Sequence, residues 1–234
     1  MLGIDQIELD NFQRLLPETE LLLRAAVREK AVDRRQDILC QGDTPQVTHL
    51  LLSGHTFRYR LLANGRRQIT AILVPGDLCD LEAAMLGRAN YGVMTLTYCS
   101  LAEIPCKRII EQSINDRALL RLLLRRQLRD EAITREWLVG LGQRTSVERL
   151  GHLFCELWVR LNAVGLATAD SFEMRITQVE LAEAMGITAV HLSRVLREMR
   201  GAGLIRLSGG TLTILNRTEL ERLSGFEANY LQVS

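Results

Sequence analysis

The spacing of hydrophobic residues changes along the first third of the chain. Residues 4 to 31 carry apolar side chains at helical spacing, interrupted at Pro17, which predicts short helices. Farther on, apolar and polar residues alternate, most clearly over residues 55 to 61, which predicts a strand. Asn64-Gly65 follows as a hairpin turn, and residues 67 to 74 provide the partner strand. Turn residues that recur at intervals of about eight to twelve positions complete the pattern of an antiparallel β-roll.

A long amphipathic helix is predicted over residues 116 to 141, after two more strands at 92 to 98 and 100 to 104 and a further helical segment. Its apolar stripe is longer than one small β-domain can cover, so we expect it to pair with the same helix of a second copy. The alternative is that the helix folds back onto its own β-roll. Gly140 and Gly142 bracket its end and predict a hinge.

Two capping boxes mark helix starts in the last third of the chain. In such a box a threonine and a glutamate three residues later exchange hydrogen bonds with each other's backbone amides. Thr145-x-x-Glu148 predicts a helix over residues 145 to 164, and Thr177-x-x-Glu180 predicts a second, short helix.

A helix-turn-helix is predicted from that short helix onward. The short helix ends at Gly186, and Thr188 caps a following helix that runs to about Arg200. The turn of about three residues between them is the spacing of this motif. Two alternating segments, 204 to 207 and 211 to 214, then predict a hairpin, the wing of a winged helix.

The second helix of such a motif enters the major groove of DNA, where base edges display a readable pattern of donors and acceptors. Arg194 is the best guanine reader among its outward side chains, because the planar guanidinium can bond both O6 and N7. The other outward candidates for DNA contact are Ala189, Val190, His191 and Ser193. The candidates for contact with the phosphate backbone are Thr177, Arg197 and Arg200, and Thr188 is a further candidate for DNA contact.

Composition narrows the class of protein without naming one. The 234 residues are 47% hydrophobic and 24% charged, and 29 basic against 28 acidic residues give a net charge of +1, as in an ordinary globular chain. No apolar run reaches the roughly 18 residues of a membrane span, and the start lacks a signal-peptide pattern, so we expect a cytoplasmic protein with no membrane association. Five irregularly spaced cysteines predict neither a disulfide framework nor a metal site. No catalytic motif is found, so we do not expect an enzyme.

Several motifs, taken in order, resemble the Crp/Fnr family of bacterial transcription regulators. In the first half these are Ile38-Leu39-x-x-Gly42-Asp43, Leu50-Leu51-Leu52-Ser53-Gly54, Gly65-Arg66-x-Gln68-Ile69, Pro75-Gly76-Asp77-Leu78 and Ala102-Glu103-Ile104-Pro105. In the second half these are Glu148-Arg149-Leu150, Thr177-Gln178-x-Glu180-Leu181-Ala182, Gly186-Ile187-Thr188, Ser193-Arg194-Val195-Leu196 and Gly203-Leu204-Ile205. The resemblance implies a homodimer joined through the long helix, an inverted-repeat operator in double-stranded DNA, and RNA polymerase as a partner.

Pattern and resemblance together predict an α+β fold in three parts. The parts are an N-terminal antiparallel β-roll effector-sensing domain over residues 1–115, a dimerisation helix and hinge over 116–142, and a winged helix-turn-helix DNA-binding domain over 143–234.

The chain departs from the family where ligands would bind. Members that bind cyclic AMP carry a Gly-Glu pair and an Arg-Ser pair, and the matching positions here hold Asp80-Leu81 and Ala89-Asn90. A cyclic phosphate would meet a carboxylate without an aligned arginine, so we expect another effector. Arg88 lies one residue away, and a register shifted by one position is the alternative that would supply an arginine. Its candidate pocket residues are Asp80, Leu81, Arg88, Asn90, Tyr91 and Thr134, the last because the family's long helix presents a threonine there.

Other cofactors of the family are also disfavoured. Its iron-sulfur sensors use an N-terminal cysteine cluster, and this chain has no cysteine before Cys40. The four histidines, His49, His55, His152 and His191, show no pattern typical of haem ligation. The cofactor therefore stays unknown at this point.

The second helix of the motif also differs from that of many relatives at one position expected to contact a base. They carry a glutamate where this chain has Val190, and that glutamate accepts a hydrogen bond from a cytosine amino group. We therefore expect a different half-site, with base contacts carried over for Ser193 and Arg194 alone.

Two alternatives stay open on the sequence. The chain could be a small-molecule or protein interaction module that has lost regulated DNA reading, although retention of Arg194 and of the capped helix before it argues against this. It could also be a DNA-binding regulator whose β-roll senses nothing, controlled by protein level or by oxidation of Cys40 or Cys155.

Overall fold

The computed structural model describes residues 19 to 232, which divide into two compact units between Leu128 and Arg129. The helices expected before residue 19 lie outside the described residues. Each unit is described by itself.

Two antiparallel sheets and short helices build the first unit, which confirms the expected β-roll. Its elements are α1 (Glu20–Ala25), β1 (Arg28–Val32), β2 (Asp37–Leu39), β3 (Val47–Ser53), β4 (Thr56–Leu61), β5 (Arg67–Leu73), α2 (Leu81–Leu86), β6 (Gly92–Thr95), β7 (Cys99–Pro105) and α3 (Cys106–Asn115). One sheet has the strand order β1-β7-β3 and the other the order β2-β6-β4-β5. The predicted hairpin joins β4 to β5, where Gly65 takes a positive φ of 79°.

The helical prediction for residues up to 31 is wrong at its end. Residues Arg28–Val32 form an edge strand that pairs antiparallel with β7, with Arg28 opposite Glu103 and Val32 opposite Cys99. Only Val32 of this strand is buried, so the sequence has no alternating hydrophobic pattern here from which a strand could be predicted. Pairing with a strand some seventy residues away decides its conformation.

Apolar side chains from both sheets form the core of the first unit. Leu50 and Leu51, neighbours on β3, pack into two different clusters because successive strand residues point to opposite faces. Leu51 packs with Leu73 and Val93, and all three are at most 1% exposed. Burying each such side chain contributes about 1.5–3 kcal/mol.

The predicted long helix is confirmed as α4 (Arg117–Gln143), a single helix of 27 residues. In the first unit its buried face, Leu119, Leu122 and Leu123, packs in the same cluster as Leu50. The helix continues through Gly140 and Gly142, so these glycines do not mark its end as expected. Gly140 is buried instead, and a Cβ there would lie 3.5 Å from the Arg149 side chain.

The second unit is a winged helix-turn-helix that begins within α4. Its further elements are α5 (Ser146–Ala163), β8 (Ser171–Glu173), α6 (Gln178–Met185), α7 (Ala189–Gly201), β9 (Ile205–Ser208), β10 (Thr211–Ile214), α8 (Arg217–Ser224) and a 3₁₀ turn (Ala228–Leu231). The wing has the strand order β8-β10-β9, one strand more than the expected hairpin. The strand β8 was not predicted, because three residues are too few to show a period.

Among residues 19 to 232, no helix has both the length and the apolar character that a membrane span requires.

Candidate nucleic-acid interface

Local hydrogen bonds set the geometry of the helix-turn-helix. At the start of α6, the Thr177 hydroxyl accepts from the Glu180 amide at 3.2 Å, and the Glu180 carboxylate accepts from the Thr177 amide at 2.8 Å. Gly186 ends this helix in the left-handed conformation, at a φ of 64°. The Thr188 hydroxyl then accepts from the His191 amide at 3.2 Å and opens α7.

The second helix of the motif divides sharply into a buried and an exposed face. Its buried side chains are Leu192, Val195, Leu196 and Met199. The exposed candidates are Ala189, Val190, His191, Arg194, Arg197 and Arg200, while Ser193 is half-buried. One helix therefore carries seven of the nine residues predicted to contact DNA. Near its start, the Arg194 side chain is exposed to solvent.

The two threonines among the candidates serve first as helix caps. Thr177 is half-buried, and its hydroxyl also donates to the Glu180 carboxylate at 2.7 Å, so its proton is already engaged. Thr188 is exposed, and a hydroxyl that accepts a bond still carries a proton that it can donate. Thr188 is thus better placed than Thr177 to donate to a phosphate oxygen.

His191 has a partner that the sequence did not indicate. Its Nε2 lies 2.9 Å from Oγ of Ser146, the first residue of α5, 45 positions earlier in the chain. This hydrogen bond joins the front of α7 to the helix that follows α4.

Positive charge on this unit extends beyond the predicted residues. Arg206 is an exposed side chain on β9 of the wing. Arg175, near the same sheet, is engaged instead by Glu173, with Nε 2.8 Å from Oε1. Exposed arginines attract the phosphate backbone and make binding depend on salt.

The structure places the first effector candidate, Asp80, inside the core. Asp80 is 0% exposed, and its Oδ1 accepts from the Thr48 hydroxyl and the His49 amide, both at 2.7 Å. Leu81, the next residue, is buried in the first turn of α2. Neither side chain is open to solvent.

The remaining candidates for the effector pocket are divided between the two units. Arg88 and Asn90 are exposed in the loop after α2, and the Asn90 amide donates to Glu82 at 2.9 Å. Tyr91 is buried, which raises the pKa of its phenol, and the Arg58 guanidinium lies 5.6 Å from its ring centroid. Thr134 belongs to the second unit, where it is exposed on α4 and donates to the Asp130 carbonyl at 2.9 Å.

The cysteines considered for oxidation have thiols with raised pKa values. Burial raises the pKa of Cys155 to about 12. Cys40 is exposed, but partial burial and the carboxylates of Asp37 and Asp43 raise its pKa as well. Because the thiolate is the reactive form, neither site favours control by oxidation.

Metal ligation also lacks a site within the part of the chain that the structure describes. No group of three or more histidine, cysteine, aspartate or glutamate side chains is arranged there to hold an ion.

Comparison with known protein families matches both units. The description "Crp-like helix-turn-helix domain" matches residues 148–223, and the description "Cyclic nucleotide-binding domain" matches residues 29–113. The two matched segments lie in the second and first units respectively.

Individual relatives cover most of this chain. The Anaerobic regulatory protein of Aggregatibacter actinomycetemcomitans is 25% identical over 230 residues, 98% of this chain and 85% of that protein. The Nitrogen fixation regulation protein FixK of Bradyrhizobium diazoefficiens is 26% identical over 192 residues, 81% of this chain and 78% of that protein. Among solved structures, FixK2 from Bradyrhizobium japonicum has a TM-score of 0.76 at 22% identity, covering 85% of this chain and 96% of that one.

Proposed function

The chain belongs to the Crp/Fnr family of transcription regulators, and we propose that it works as a homodimer that reads an inverted-repeat operator through Arg194. The observation that carries this proposal is the exposed front of α7, held in place by the two capped helices. A guanidinium on the first turns of a recognition helix can bond O6 and N7 of one guanine together. The same residues argue against an interaction module that has lost DNA reading.

An exposed apolar stripe on α4 supports the dimer. Leu120, Leu124 and Leu128 recur every four residues on the face opposite the one that packs on the β-roll, and they are 43%, 54% and 61% exposed. A soluble protein rarely leaves such a stripe in water. A second copy of α4 that packs its own stripe against this one covers it.

A twofold dimer predicts the form of the operator. It presents two copies of α7 to one face of the duplex, so the half-sites are inverted and their centres lie about 34–36 Å apart. We further propose that the protein acts in the cytoplasm with RNA polymerase as its partner, as the family relationship implies.

The signal that acts on the β-roll is proposed to be something other than cyclic AMP. The positions that would hold the cyclic nucleotide contain Asp80, whose carboxylate is buried and bonded within the protein, and buried Leu81. An effector that binds near α2 would meet the exposed side chains of Arg88 and Asn90 first.

Binding selection from random duplexes tests the proposal. The wild type should recover an inverted repeat, and Arg194→Ala should lose about 1–3 kcal/mol per half-site together with the preference at one base pair. Arg200→Ala should weaken all sequences alike and flatten the salt dependence by about one unit of slope. Arg222→Ala serves as the matched control, because Arg222 is an exposed arginine of α8 paired with Glu219.

Two outcomes would contradict the proposal in different ways. Recovery of the same half-site by Arg194→Ala and the wild type would remove Arg194 from the reading residues and leave His191 and Ser193. No enrichment by the wild type would favour the interaction module instead.

A further inference from the structure

One buried carboxylate of the second unit joins three segments of the chain. Glu156 of α5 is 0% exposed, and its Oε2 accepts from the indole Nε1 of Trp137 at 3.0 Å and from the hydroxyl of Tyr230 at 3.2 Å. Its Oε1 accepts from the Arg160 guanidinium at 3.1 Å. Trp137 lies near the end of α4, and Tyr230 lies in the 3₁₀ turn Ala228–Leu231. We call residues 226 to 231 the C-terminal segment, so α4, α5 and the C-terminal segment meet at the Glu156 side chain.

Aromatic packing surrounds the carboxylate. His152, one turn before Glu156 on α5, stacks on the Tyr230 ring at 5.8 Å between centroids and meets the edge of Phe226 at 5.1 Å. Burial, with the nearby Arg144 charge, lowers the pKa of His152 to about 4, so this imidazole is neutral in the stack. The C-terminal segment is thus held by aromatic contacts and by one hydrogen bond to Glu156.

The hydrogen bonds of Glu156 cannot be replaced by water. Because the carboxylate is fully buried, its loss leaves the Trp137 and Tyr230 donors without this acceptor and removes the charge that lies 3.1 Å from the Arg160 guanidinium. The surrounding side chains must then shift to find other partners. The segments best able to shift are the end of α4 and the C-terminal segment, since α5 is fixed by its buried apolar face.

A change in the angle between α4 and α5 matters to a dimer joined through α4. Only Arg144 and Thr145 separate the end of α4 from the start of α5, so contacts between the two helices set that angle. In a dimer the angle decides how far apart the two copies of α7 lie. The Trp137 to Glu156 hydrogen bond is one such contact.

We propose that Glu156 is a positioning residue that fixes the end of α4 and the C-terminal segment against α5, and thereby sets the half-site spacing that the dimer accepts. The inference rests on the proposed function, which supplies the dimer and the operator. It assigns no base contact to Glu156.

Tryptophan fluorescence tests the anchoring without DNA. The chain has two tryptophans, so Trp158→Phe leaves Trp137 as the reporter beside Glu156. In that background Glu156→Gln should shift the Trp137 emission to longer wavelength and increase its quenching by acrylamide. Glu227→Gln, which changes an exposed carboxylate of the C-terminal segment, is the matched control and should change neither. Unchanged emission and quenching in Glu156→Gln would overturn the anchoring role.

Operators with altered spacers test the consequence for DNA reading. Starting from the wild-type operator, spacers are shortened or lengthened by one and two base pairs, and affinities are measured for the full-length protein. Glu156→Gln should reduce the preference for the best spacer by about tenfold, which corresponds to about 1.4 kcal/mol of lost discrimination, while the half-site sequence stays the same. Tyr230→Phe removes one donor and keeps the ring, so it should act in the same direction by less, even if Glu156→Gln folds poorly.

The outcomes separate this inference from the proposed function. An equal loss of affinity for every spacer, or a spacer preference that Glu156→Gln retains, overturns the positioning role alone. A wild type that selects no duplex sequence overturns the proposed function and the spacing role together, and the fluorescence result still decides whether Glu156 anchors Trp137.

Discussion

The imidazole Nδ1 of His49 lies 2.7 Å from Oδ2 of Asp80, and both side chains are buried within the first unit. The other imidazole nitrogen lies 3.7 Å from Glu103, a carboxylate that also receives the guanidinium of Arg28. The Asp80 carboxylate therefore accepts hydrogen bonds from buried groups inside the β-roll. The Asp80 carboxylate is engaged within the protein at a position where the sequence predicted a contact with the effector.

Asp80→Ala should destabilise the protein strongly. The substitution leaves the Thr48 hydroxyl, the His49 amide and the His49 ring without their acceptor in a buried site, so we expect a loss of about 2–4 kcal/mol in the free energy of unfolding by urea. Asp33→Ala, at an exposed position beside β1, is the control and should cost no more than about 0.5 kcal/mol. A loss below about 1 kcal/mol for Asp80→Ala would argue that the network contributes little.

Cyclic AMP should leave the thermal stability of the protein unchanged. A ligand at a hundred times its dissociation constant adds about 2.7 kcal/mol of apparent stability, which a thermal melt resolves easily. The operator duplex serves as the positive control, since it binds the folded state and should raise Tm. A clear rise in Tm with millimolar cyclic AMP would contradict the assignment of Asp80 and Leu81 as core residues unsuited to that ligand.

Leu124→Glu combined with Leu128→Glu should convert the proposed dimer to a monomer. Each change places a charge in the exposed stripe of α4, where a partner helix would bury it without a counter-charge. Sedimentation at micromolar concentration measures the result. Leu86→Glu alters a leucine at the end of α2 that is 70% exposed and lies outside the stripe, so it should leave the dimer intact. A wild type that sediments only as a monomer would show that the stripe is not a dimer interface.

His152 should make the second unit less stable in acid. The pKa of its imidazole is about 4 in the folded protein and about 6.5 when unfolded, so between these values the unfolded chain binds a proton that the folded chain does not. The free energy of unfolding therefore falls as the pH drops from about 6.5 to about 4, by about 3 kcal/mol in total, and this contribution levels off below.

Comparison with His152→Phe isolates that contribution. Phenylalanine keeps a ring against Phe226 and Tyr230 but cannot be protonated, so the variant should lose less stability than the wild type over this pH range. Equal slopes for His152→Phe and the wild type would show that folding does not lower the pKa of His152.

The sequence by itself determined the helix-turn-helix, its caps and the long helix. Thr177 and Glu180 exchange hydrogen bonds over three residues, and the leucines of α4 repeat every three or four, so the signals lie within a few positions of one another. Helix geometry then fixes which face is buried, and the exposure of Arg194 follows from the burial of Leu192 and Val195.

Only the tertiary structure decided the roles of Asp80, Glu156 and β1. Asp80 bonds to residues 31 and 32 positions away, and Glu156 joins partners 19 positions before it and 74 after it. The strand β1 exists because β7 supplies its hydrogen bonds. Such contacts form between segments that the fold brings together, and no local period encodes them, so a buried carboxylate looks in the sequence like any other charged residue.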